Sequence, residues 1–436
     1  MLLNNTISVC PFCKKEVSAD IIERNESVFM RKYCSEHGSS EVKIAKYAWY
    51  YKGITGFYNS LLPRGALPRS NSPLYVFFVT SVCNLDCPIC FTDANVTRDI
   101  QEIPLETIKK YLNNIHKQKK IIRLSGGEPT MREDLPKIIQ LIAESGNFPY
   151  MFTNGIKLKD YSYARLLKKS GLKGVLLWLD SISNDNIHMQ MRGKTVLRDK
   201  VKAIENIRKL KIPFCFYHVK TKGINDIDTK GCWDYVQKNN FIKALWIKSY
   251  VCLGKKGFSQ KSEFIMDELI EEIASISNGA FSLEDAYYYQ KFNCILAALR
   301  KTPFCYYVYS MLLPRGNSRP IRFVKYAKVI DEFEKRWKVS AEDAKYYFMT
   351  SVLNKIVYSF PVMGYLMLRQ AVSRQPMYKV IYDYLPRGYF LLLITTFYNI
   401  DNYDKLQVHN GCCNSVFNND PNNNIPLCDV NIKHFG

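Results

Sequence analysis

The sequence lacks an apolar run long enough to cross a bilayer. Its longest apolar stretches are YFLLLITTFY (389–398) and VYSFPVMGYLML (357–368), and both fall short of the roughly 20 residues that a spanning helix needs. The N-terminus also lacks the charged start, apolar run and small-residue cleavage site of a secretory signal peptide. We therefore expect a cytoplasmic protein. Peripheral contact with a membrane is compatible with this expectation.

Acidic residues are scarce relative to basic ones. The 436 residues include 61 Lys and Arg but 40 Asp and Glu, for a formal net charge of +21. Such a charge favours anionic partners, among them a phospholipid surface, nucleic acid or an acidic substrate, although a solvated lysine-rich face explains many of these charges equally well. The hydrophobic share of 47% excludes a chain that is disordered throughout. The length predicts one large domain with smaller additions.

Cysteine, by contrast, is abundant. In a reducing compartment the 14 cysteines are expected to be metal ligands or buried small hydrophobes rather than disulfides. Near the N-terminus, CPFC supplies Cys10 and Cys13, and YCSEHG supplies Cys34 and His37. This paired spacing predicts a structural tetrahedral site for zinc or a mononuclear iron. His37 is the weakest of the four ligands, and another cysteine in its place is the alternative.

From about residue 72 to 250, short apolar runs alternate with amphipathic stretches. This rhythm predicts parallel strands joined by helices, arranged as a partial (β/α)6 barrel of the TIM type within an α/β fold. Chemistry in such barrels lies on the loops at the C-terminal ends of the strands. The predicted strands are residues 74–80, 121–124, 149–153, 174–180, 213–219 and 241–248.

Three cysteines follow the first predicted strand in TSVCNLDCPICF: Cys83, Cys87 and Cys90. Three thiolates can hold three corners of a four-iron four-sulfur cluster and leave the fourth iron without a protein ligand. An open iron of this kind can bind a substrate or cofactor. The alternatives are three structural cysteines or a zinc site.

Further polar motifs follow the next three strands. The segment LSGGEPT leaves the second strand, where Gly126 and Gly127 would let a ligand approach the backbone and Glu128 offers a carboxylate to an amino group. Pro129 continues this motif. Asn154 lies in TNG after the third strand, and Asp180 in LDS after the fourth could accept hydrogen bonds from a ribose.

With these motifs the sequence resembles the radical SAM superfamily, whose signature is Cys-x-x-x-Cys-x-x-Cys followed by a GGE-type segment. The segments CNLDCPICFTDAN, RLSGGEPTMREDLP and LLPRGNSRPIRFV further resemble the archaeal tetraether lipid synthases and related class D radical SAM methylases. The resemblance implies a cluster on the three cysteines, S-adenosylmethionine (SAM) bound through its amino and carboxylate groups, and reductive cleavage of SAM followed by hydrogen abstraction from substrate. It also implies a reductant protein of the ferredoxin or flavodoxin type.

The same resemblance implies further metal groups. The N-terminal cysteines would hold a rubredoxin-like metal, and C-terminal cysteines would hold one auxiliary four-iron four-sulfur cluster. Candidate ligands of the auxiliary cluster are Cys294, Cys305, Cys412, Cys413 and Cys428. We therefore predict a metal-binding region at 1–68, the barrel at 69–285, and an auxiliary-cluster and substrate-binding region at 286–436.

We expect an enzyme that forms carbon-carbon bonds between lipid alkyl chains, with lipid or another small molecule as substrate. The alternative is a radical SAM methylase or a peptide-modifying enzyme with an auxiliary cluster. A nucleic-acid binder is disfavoured, because such a protein has no use for an open iron, and we expect no nucleic-acid partner.

Overall fold

The computed structural model describes residues 1–61, 74–95, 102–255, 257–301, 305–316, 322–359, 361–373, 376–396, 398–399, 401–405, 408, 414–416 and 425–426. Three predicted ligands of the auxiliary cluster, Cys412, Cys413 and Cys428, lie outside these residues. Within the described ranges, no helix combines the length and apolar character that crossing a membrane requires.

The N-terminal ribbon, residues 2–45, is an antiparallel sheet of four strands in chain order. Its third strand alternates more and less buried positions, as expected where one face packs on a core. The second hairpin turns through Asn25 and Glu26 at φ values of 49° and 59°, the left-handed conformation that a two-residue turn between twisted strands requires. The strands are β1 (Leu2–Val9), β2 (Glu16–Arg24), β3 (Ser27–Cys34) and β4 (Gly38–Ala45).

A parallel barrel sheet follows, and it confirms the predicted α/β architecture. Six strands pair in chain order, each parallel to the next, and every one lies within two residues of a predicted segment. Their interior stretches are nearly continuously buried, as expected of a sheet covered on both faces. The strands are β5 (Leu74–Thr80), β6 (Ile121–Gly126), β7 (Phe148–Thr153), β8 (Gly174–Trp178), β9 (Phe214–Lys220) and β10 (Ile242–Ser249).

Amphipathic helices connect these strands. The first buries Ile108, Tyr111 and Leu112 against the sheet, on the face that the spacing predicts. The second ends at Glu144, and Gly146 follows at a φ of +77°, the left-handed conformation in which a glycine commonly ends a helix. The helices are α1 (Ala48–Leu61) after the ribbon, then α2 (Leu105–Asn114), α3 (Leu135–Glu144), α4 (Tyr161–Lys169), α5 (Asp185–Arg192), α6 (Leu197–Lys209) and α7 (Asp226–Lys238).

The C-terminal part extends the barrel sheet on both sides. Strand β12 (Tyr389–Thr395) pairs parallel to β10, and β11 (Val308–Pro314) pairs antiparallel to β12. At the other edge, β13 (Asn414–Val416) pairs with β5, and β14 (Ile425–Pro426) pairs with β13. Strands on both sides of residue 285 thus share one sheet, while the division of the chain into three regions stays a prediction.

Helices cover the remainder of the C-terminal part. A π-helical turn at Phe348–Val352 interrupts this series. Buried residues of these helices belong to the same hydrophobic cluster as the barrel. The helices are α8 (Met266–Ile276), α9 (Leu283–Arg300), α10 (Ala327–Val339), α11 (Ala341–Tyr347), α12 (Leu353–Ser359), α13 (Pro361–Ser373) and α14 (Met377–Tyr384).

Aromatic side chains fill the interior of the barrel. The ring of Tyr217 lies 4.1 Å from Trp178, 4.8 Å from Trp246 and 5.5 Å from Phe152, measured between centroids. The Trp246 indole donates from Nε1 to Thr395 Oγ1 at 2.9 Å. This packing closes the barrel centre, so open space for a ligand lies towards the C-terminal ends of the strands.

The ribbon is attached to the barrel through α8. The buried Asp267 carboxylate accepts hydrogen bonds from the backbone nitrogens of Lys46, at 3.1 Å, and Tyr47, at 2.7 Å. The ribbon also contacts the C-terminal segment, where Thr6 Oγ1 donates to Asp404 Oδ1 at 2.5 Å. Because these contacts are buried, they hold the ribbon in one place above the barrel.

Candidate active site and metal centre

The predicted cluster cysteines lie on the loop that follows β5. The loop is ordered by its own side chains, since Cys83 N donates to Asn95 Oδ1 at 2.8 Å and Asn95 Nδ2 donates to Leu85 O at 3.1 Å. Backbone nitrogens also point at the sulfurs, with Leu85 N 3.4 Å from Cys83 Sγ and Ala94 N 3.4 Å from Cys90 Sγ. Hydrogen bonds to thiolate sulfur are one of the ways a protein tunes an iron-sulfur cluster.

Gly126 and Gly127 bring the GGE loop against this cysteine loop. Gly127 N donates to Thr80 O at 2.7 Å, and Glu128 N donates to Val82 O at 2.9 Å. A Cβ on Gly126 would lie 2.2 Å from Thr80 O, and one on Gly127 would lie 2.3 Å from Val82 O. The glycines are therefore needed for backbone-to-backbone contact, whereas the sequence predicted a role in close approach of a ligand.

Glu128 connects the GGE loop to the end of β7. Its Oε1 accepts from the Thr130 and Thr153 hydroxyls, both at 2.7 Å, and its Oε2 accepts from Asn154 N at 2.7 Å. Burial raises the pKa of this carboxyl, and the hydrogen bonds oppose that rise. Most of the acceptor capacity of the carboxylate is thus used within the protein, and Glu128 positions the loop as well as facing the cavity.

Two other predicted cofactor-binding residues have structural contacts. Pro129 is buried as the first residue of a short 3-10 helix, Pro129–Met131. Asn154 faces the cavity, and its Nδ2 donates to Asn84 Oδ1 at 2.7 Å. Asn154 therefore ties the end of β7 to the cysteine loop.

The predicted contact of Asp180 with a ribose is corrected by the structure. Asp180 is fully buried and does not line the cavity. Its two oxygens accept from Arg192 Nε at 2.6 Å and Nη2 at 2.8 Å. Burial by itself would raise the pKa of Asp180, but the guanidinium of Arg192 holds that pKa well below its ordinary value. A buried bidentate pair of this kind fixes the arginine in place.

Arg192 is one of the cavity residues that sequence reasoning missed. It lines the cavity beside Cys87, where its charge counteracts the rise that burial causes in the pKa of the Cys87 thiol. Lys200 lies next to it, fully buried, and donates from Nζ to Asn154 O at 3.1 Å and Trp178 O at 2.5 Å. Burial lowers the pKa of Lys200 to about 8. No motif marks Arg192, because its position depends on its long-range pair with Asp180.

These elements enclose a cavity at the C-terminal ends of the strands. It holds about 780 Å³, including space open to solvent, which is in the range of small-molecule and cofactor sites. Its lining combines sulfur, backbone, aromatic and cationic groups, of which the most informative are Cys83, Cys87, Cys90, Gly126, Glu128 and Arg192.

The donor set fits a cluster with one open iron. Three cysteines face the cavity, and burial raises the pKa of the Cys83 thiol to about 12. A thiol so shielded becomes a thiolate only beside strong positive charge, which iron ions supply. Arg192 on the same wall offers a planar guanidinium, the group best shaped to accept a carboxylate.

The predicted N-terminal metal ligands converge at the ends of the ribbon hairpins. The ligand atoms of Cys10, Cys13, Cys34 and His37 all lie within 4.8 Å of one another. Cys13 Sγ is 3.8 Å from Cys34 Sγ, and Cys34 Sγ is 3.6 Å from His37 Nδ1. Sulfur and nitrogen ligands of a tetrahedral zinc are separated by about 3.5–3.8 Å, so the four residues fit a closed metal site.

The described candidates for the auxiliary cluster occupy different surroundings. Cys294 lies on α9 with no exposed surface, within the hydrophobic core, and burial raises its thiol pKa well above the ordinary value. Cys305 is half-buried and packs against the same core. A small buried hydrophobe explains Cys294 without a metal. The auxiliary cluster stays a prediction.

Comparison with known protein families identifies the family to which the barrel domain belongs. The family model described as the Radical SAM superfamily matches residues 77–232, a range that includes the three cysteines, the GGE loop and Arg192. Residues 77–232 form a radical SAM domain. The predicted superfamily is thus confirmed, and with it the four-iron four-sulfur cluster and SAM as the cofactors of this domain. A second model, the HMPTM N-terminal zinc ribbon domain, matches residues 2–46 and contains the four-ligand metal site.

Curated relatives of the radical SAM domain are enzymes of more than one kind. The chain is 34% identical over 257 residues to a 7,8-dihydro-6-hydroxymethylpterin dimethyltransferase from Methanocaldococcus jannaschii, covering 54% of this chain and 50% of that protein. It is 31% identical over 169 residues to a probable GTP 3',8-cyclase from Pyrococcus abyssi, covering 38% and 53%. The chain thus spans about half the length of the curated relatives it matches.

Solved structures also resemble the chain. The crystal structure of Streptococcus suis SuiB bound to S-adenosylmethionine aligns with a TM-score of 0.39 and 17% identity over 47% of each chain.

The two glycines of the GGE loop are expected to control cluster binding by the radical SAM domain. Gly127→Ala places a methyl group against Val82 O and displaces the cysteine loop, so after anaerobic reconstitution we expect roughly half or less of the four irons of a full cluster. Iron and sulfide analysis measures this. Gly56→Ala on α1 is the matched control, because a Cβ there meets nothing within 4 Å. Equal iron in both variants would contradict the close-contact role.

Removal of one ribbon ligand is expected to empty the N-terminal site. Cys13→Ser weakens one of four ligands, so we expect the loss of about one zinc or iron ion per chain and a lower melting temperature. Metal analysis and thermal unfolding measure both. Cys252→Ser, a half-buried cysteine outside the site, should keep the metal. Full metal content in Cys13→Ser would show that other ligands hold it.

Proposed function

We propose that the protein is a radical SAM enzyme that reductively cleaves S-adenosylmethionine and uses the products to abstract hydrogen from an organic substrate. The observation that carries this proposal is the placement of three cysteines, the GGE loop and Arg192 around one cavity. When bound, the cluster supplies the electron that breaks a carbon-sulfur bond of SAM. The electron comes from a reductant, for which we propose an acidic ferredoxin or flavodoxin, since the net charge of +21 favours such a partner.

Residues of the chain bind SAM, orient it and shield the reacting groups from water. Asp180 holds the Arg192 guanidinium at the cavity through Nε and Nη2, which leaves the remaining N–H groups to donate to the carboxylate of the methionine part of SAM. The packed rings of Phe152 and Trp178 form part of the cavity wall and exclude water from the reacting groups. Exclusion of water protects reactive species from side reactions.

For the reaction that follows SAM cleavage, we propose carbon-carbon bond formation by methyl transfer. Hydrogen abstraction leaves a radical on the acceptor carbon, a second SAM molecule supplies the methyl group and leaves as S-adenosylhomocysteine, and the same reductant supplies the second electron that this step needs. The support is the 34% identity with a dimethyltransferase, together with an N-terminal ribbon of the HMPTM type at residues 2–46. The radical SAM methylase that the sequence offered as the alternative thus becomes the first candidate. The methyl acceptor is a small molecule that fits at the mouth of the barrel.

Coupling of lipid alkyl chains is the second candidate, and a separate surface favours it. Helices α11 and α13, with the π-helical turn between them, expose Tyr346, Met349, Tyr365, Leu368 and Val372, the last at 73%. Lys345 and Lys355 are exposed in the same helical series, whereas Lys379 is paired with Asp383. Exposed apolar groups with basic charge are typical of surfaces that bind anionic membranes, so we propose peripheral membrane contact through these five residues, the α11–α13 face.

Cleavage of SAM is expected to require Cys87, and the apparent affinity for SAM is expected to depend on Arg192. Cys87→Ala removes a cluster ligand and should abolish formation of 5'-deoxyadenosine by reconstituted, dithionite-reduced protein. Arg192→Lys breaks the bidentate pair with Asp180 that orients the cation and should weaken the apparent affinity for SAM on the order of tenfold while keeping the iron. Chromatography of 5'-deoxyadenosine and methionine measures both effects.

The matched control for Arg192→Lys is Arg165→Lys on the exposed face of α4, which should behave as wild type. Undiminished SAM cleavage in Cys87→Ala would refute the proposed function. Mass spectrometry after incubation with methyl-labelled SAM and a membrane-lipid extract separates the two reactions. Labelled products other than methionine, which SAM cleavage itself releases with the label, indicate methyl transfer, whereas lipid products lighter by two hydrogens indicate coupling.

Membrane contact is expected to depend on the α11–α13 face. We expect the protein to sediment with vesicles containing phosphatidylglycerol and much less with pure phosphatidylcholine, since anionic lipids supply the charge attraction. Leu368→Glu with Val372→Glu should reduce the vesicle-bound fraction several-fold. Ile227→Glu, at an 89% exposed apolar position on α7, is the control. Equal binding by both variants would exclude this face.

A further inference from the structure

A second cavity lies next to the SAM cavity, between the ribbon and the mouth of the barrel. It holds about 1190 Å³, including space open to solvent. Its walls come from three parts of the chain, with Lys43 on β4, Glu263 and Phe264 after β10, and Asn399 in the C-terminal segment. Ser249 and Tyr250 at the end of β10 line this cavity and the SAM cavity alike. A molecule in the second cavity is therefore next to the place where SAM would be cleaved.

Half of the six charged residues lining the second cavity form ion pairs. Glu41 accepts hydrogen bonds from Arg24 and from Arg31, the latter at 3.0 Å. Lys222 Nζ lies 2.7 Å from Glu268 Oε1. These pairs hold the walls together and add little net charge to the cavity.

Two lysines at the rim of the second cavity differ from these residues because they have no acidic partner among the described residues. Lys43 and Lys261 are exposed, both line the cavity, and neither forms an ion pair with any residue that the structure describes. The Nζ atom of Lys43 lies 5.7 Å from the centroid of the Phe29 ring. Two ammonium groups without acidic partners at the rim of one cavity favour a ligand with negative charge.

The inner wall of the second cavity carries the carboxyl group of Glu263, which accepts hydrogen bonds from two partners. Glu263 Oε1 accepts from Cys252 N at 2.5 Å, and Oε2 accepts from Asn399 Nδ2 at 2.7 Å. Burial raises the pKa of Glu263 to about 7, so at neutral pH this group adds less negative charge than an ordinary glutamate. The cavity is then cationic at its rim and hydrogen-bonding inside, beside the aromatic ring of Tyr307.

We infer that this second cavity binds the substrate, an organic phosphate whose anionic group lies between Lys43 and Lys261 and whose reacting carbon lies past Ser249 and Tyr250 towards the cluster cysteines. The inference deepens the proposed function and rests on it. A phosphate-bearing substrate is compatible with either a soluble phosphate ester or a phospholipid headgroup. In both cases the ribbon recognises the substrate, because β4 supplies Lys43.

Calorimetric titration of the full-length, reconstituted protein with inorganic pyrophosphate tests the anion site directly. We expect the double variant Lys43→Glu, Lys261→Glu to bind pyrophosphate on the order of tenfold or more weakly than wild type, since like charges now face the ligand. Lys137→Glu on the outer face of α3 is the matched control, because Lys137 is exposed and has no acidic partner among the described residues. It should bind as wild type does.

The source of the phosphate is tested by competition. Glycerol 1-phosphate should displace pyrophosphate if the substrate is a soluble ester, and short-chain phosphatidylglycerol below its micelle concentration should displace it better if the substrate is a lipid. Pyrophosphate binding that is absent in wild type, or equal in the double variant and Lys137→Glu, overturns the inference.

SAM cleavage without substrate separates this inference from the proposed function. The double variant should form 5'-deoxyadenosine at the wild-type rate, because both lysines lie outside the SAM cavity. Loss of cleavage in wild type would refute the proposed function, whatever the pyrophosphate result. Loss in the double variant with wild-type melting temperature would show that these lysines serve SAM and would overturn the substrate assignment.

Discussion

The site depends on backbone contact between two adjacent loops. The loop after β6 donates from Gly127 N and Glu128 N to carbonyls at the start of the cysteine loop, and only residues without a side chain allow that approach. Glu128 then extends the connection to β7. The loops after three neighbouring strands are thus fixed to one another before any cofactor binds. Such preorganisation limits the reorganisation needed when the cluster and SAM are held.

Much of this arrangement could be predicted from the sequence, because it depends on local pattern. The six barrel strands are apolar runs bounded by polar loops, and burial on both faces leaves little freedom in their composition. Cys10, Cys13, Cys34 and His37 are close in sequence and lie on two hairpin ends, so their spacing indicated a shared site. The three cluster cysteines are also close together in the sequence, so their spacing likewise indicates a shared site.

The residues that could not be predicted depend on contacts between distant segments. The sequence assigns Asp180 to a ribose, because nothing near it in the sequence shows that Arg192, one helix later, pairs with it. Arg192 in turn carries no motif. The covered position of Cys294 depends on how α9 packs, and the second cavity, whose walls come from three parts of the chain, depends on the placement of the ribbon over the barrel. Tertiary packing, which periodicity does not encode, decides all of these.

The aromatic packing inside the barrel limits how any large substrate can be held. Phe152, Trp178, Tyr217 and Trp246 pack against one another in the centre of the barrel. An extended hydrocarbon would consequently have to lie crosswise over the strand ends, entering from one side and leaving from the other beneath the ribbon. Chain length would then be limited by the width of that crossing and not by the depth of the barrel.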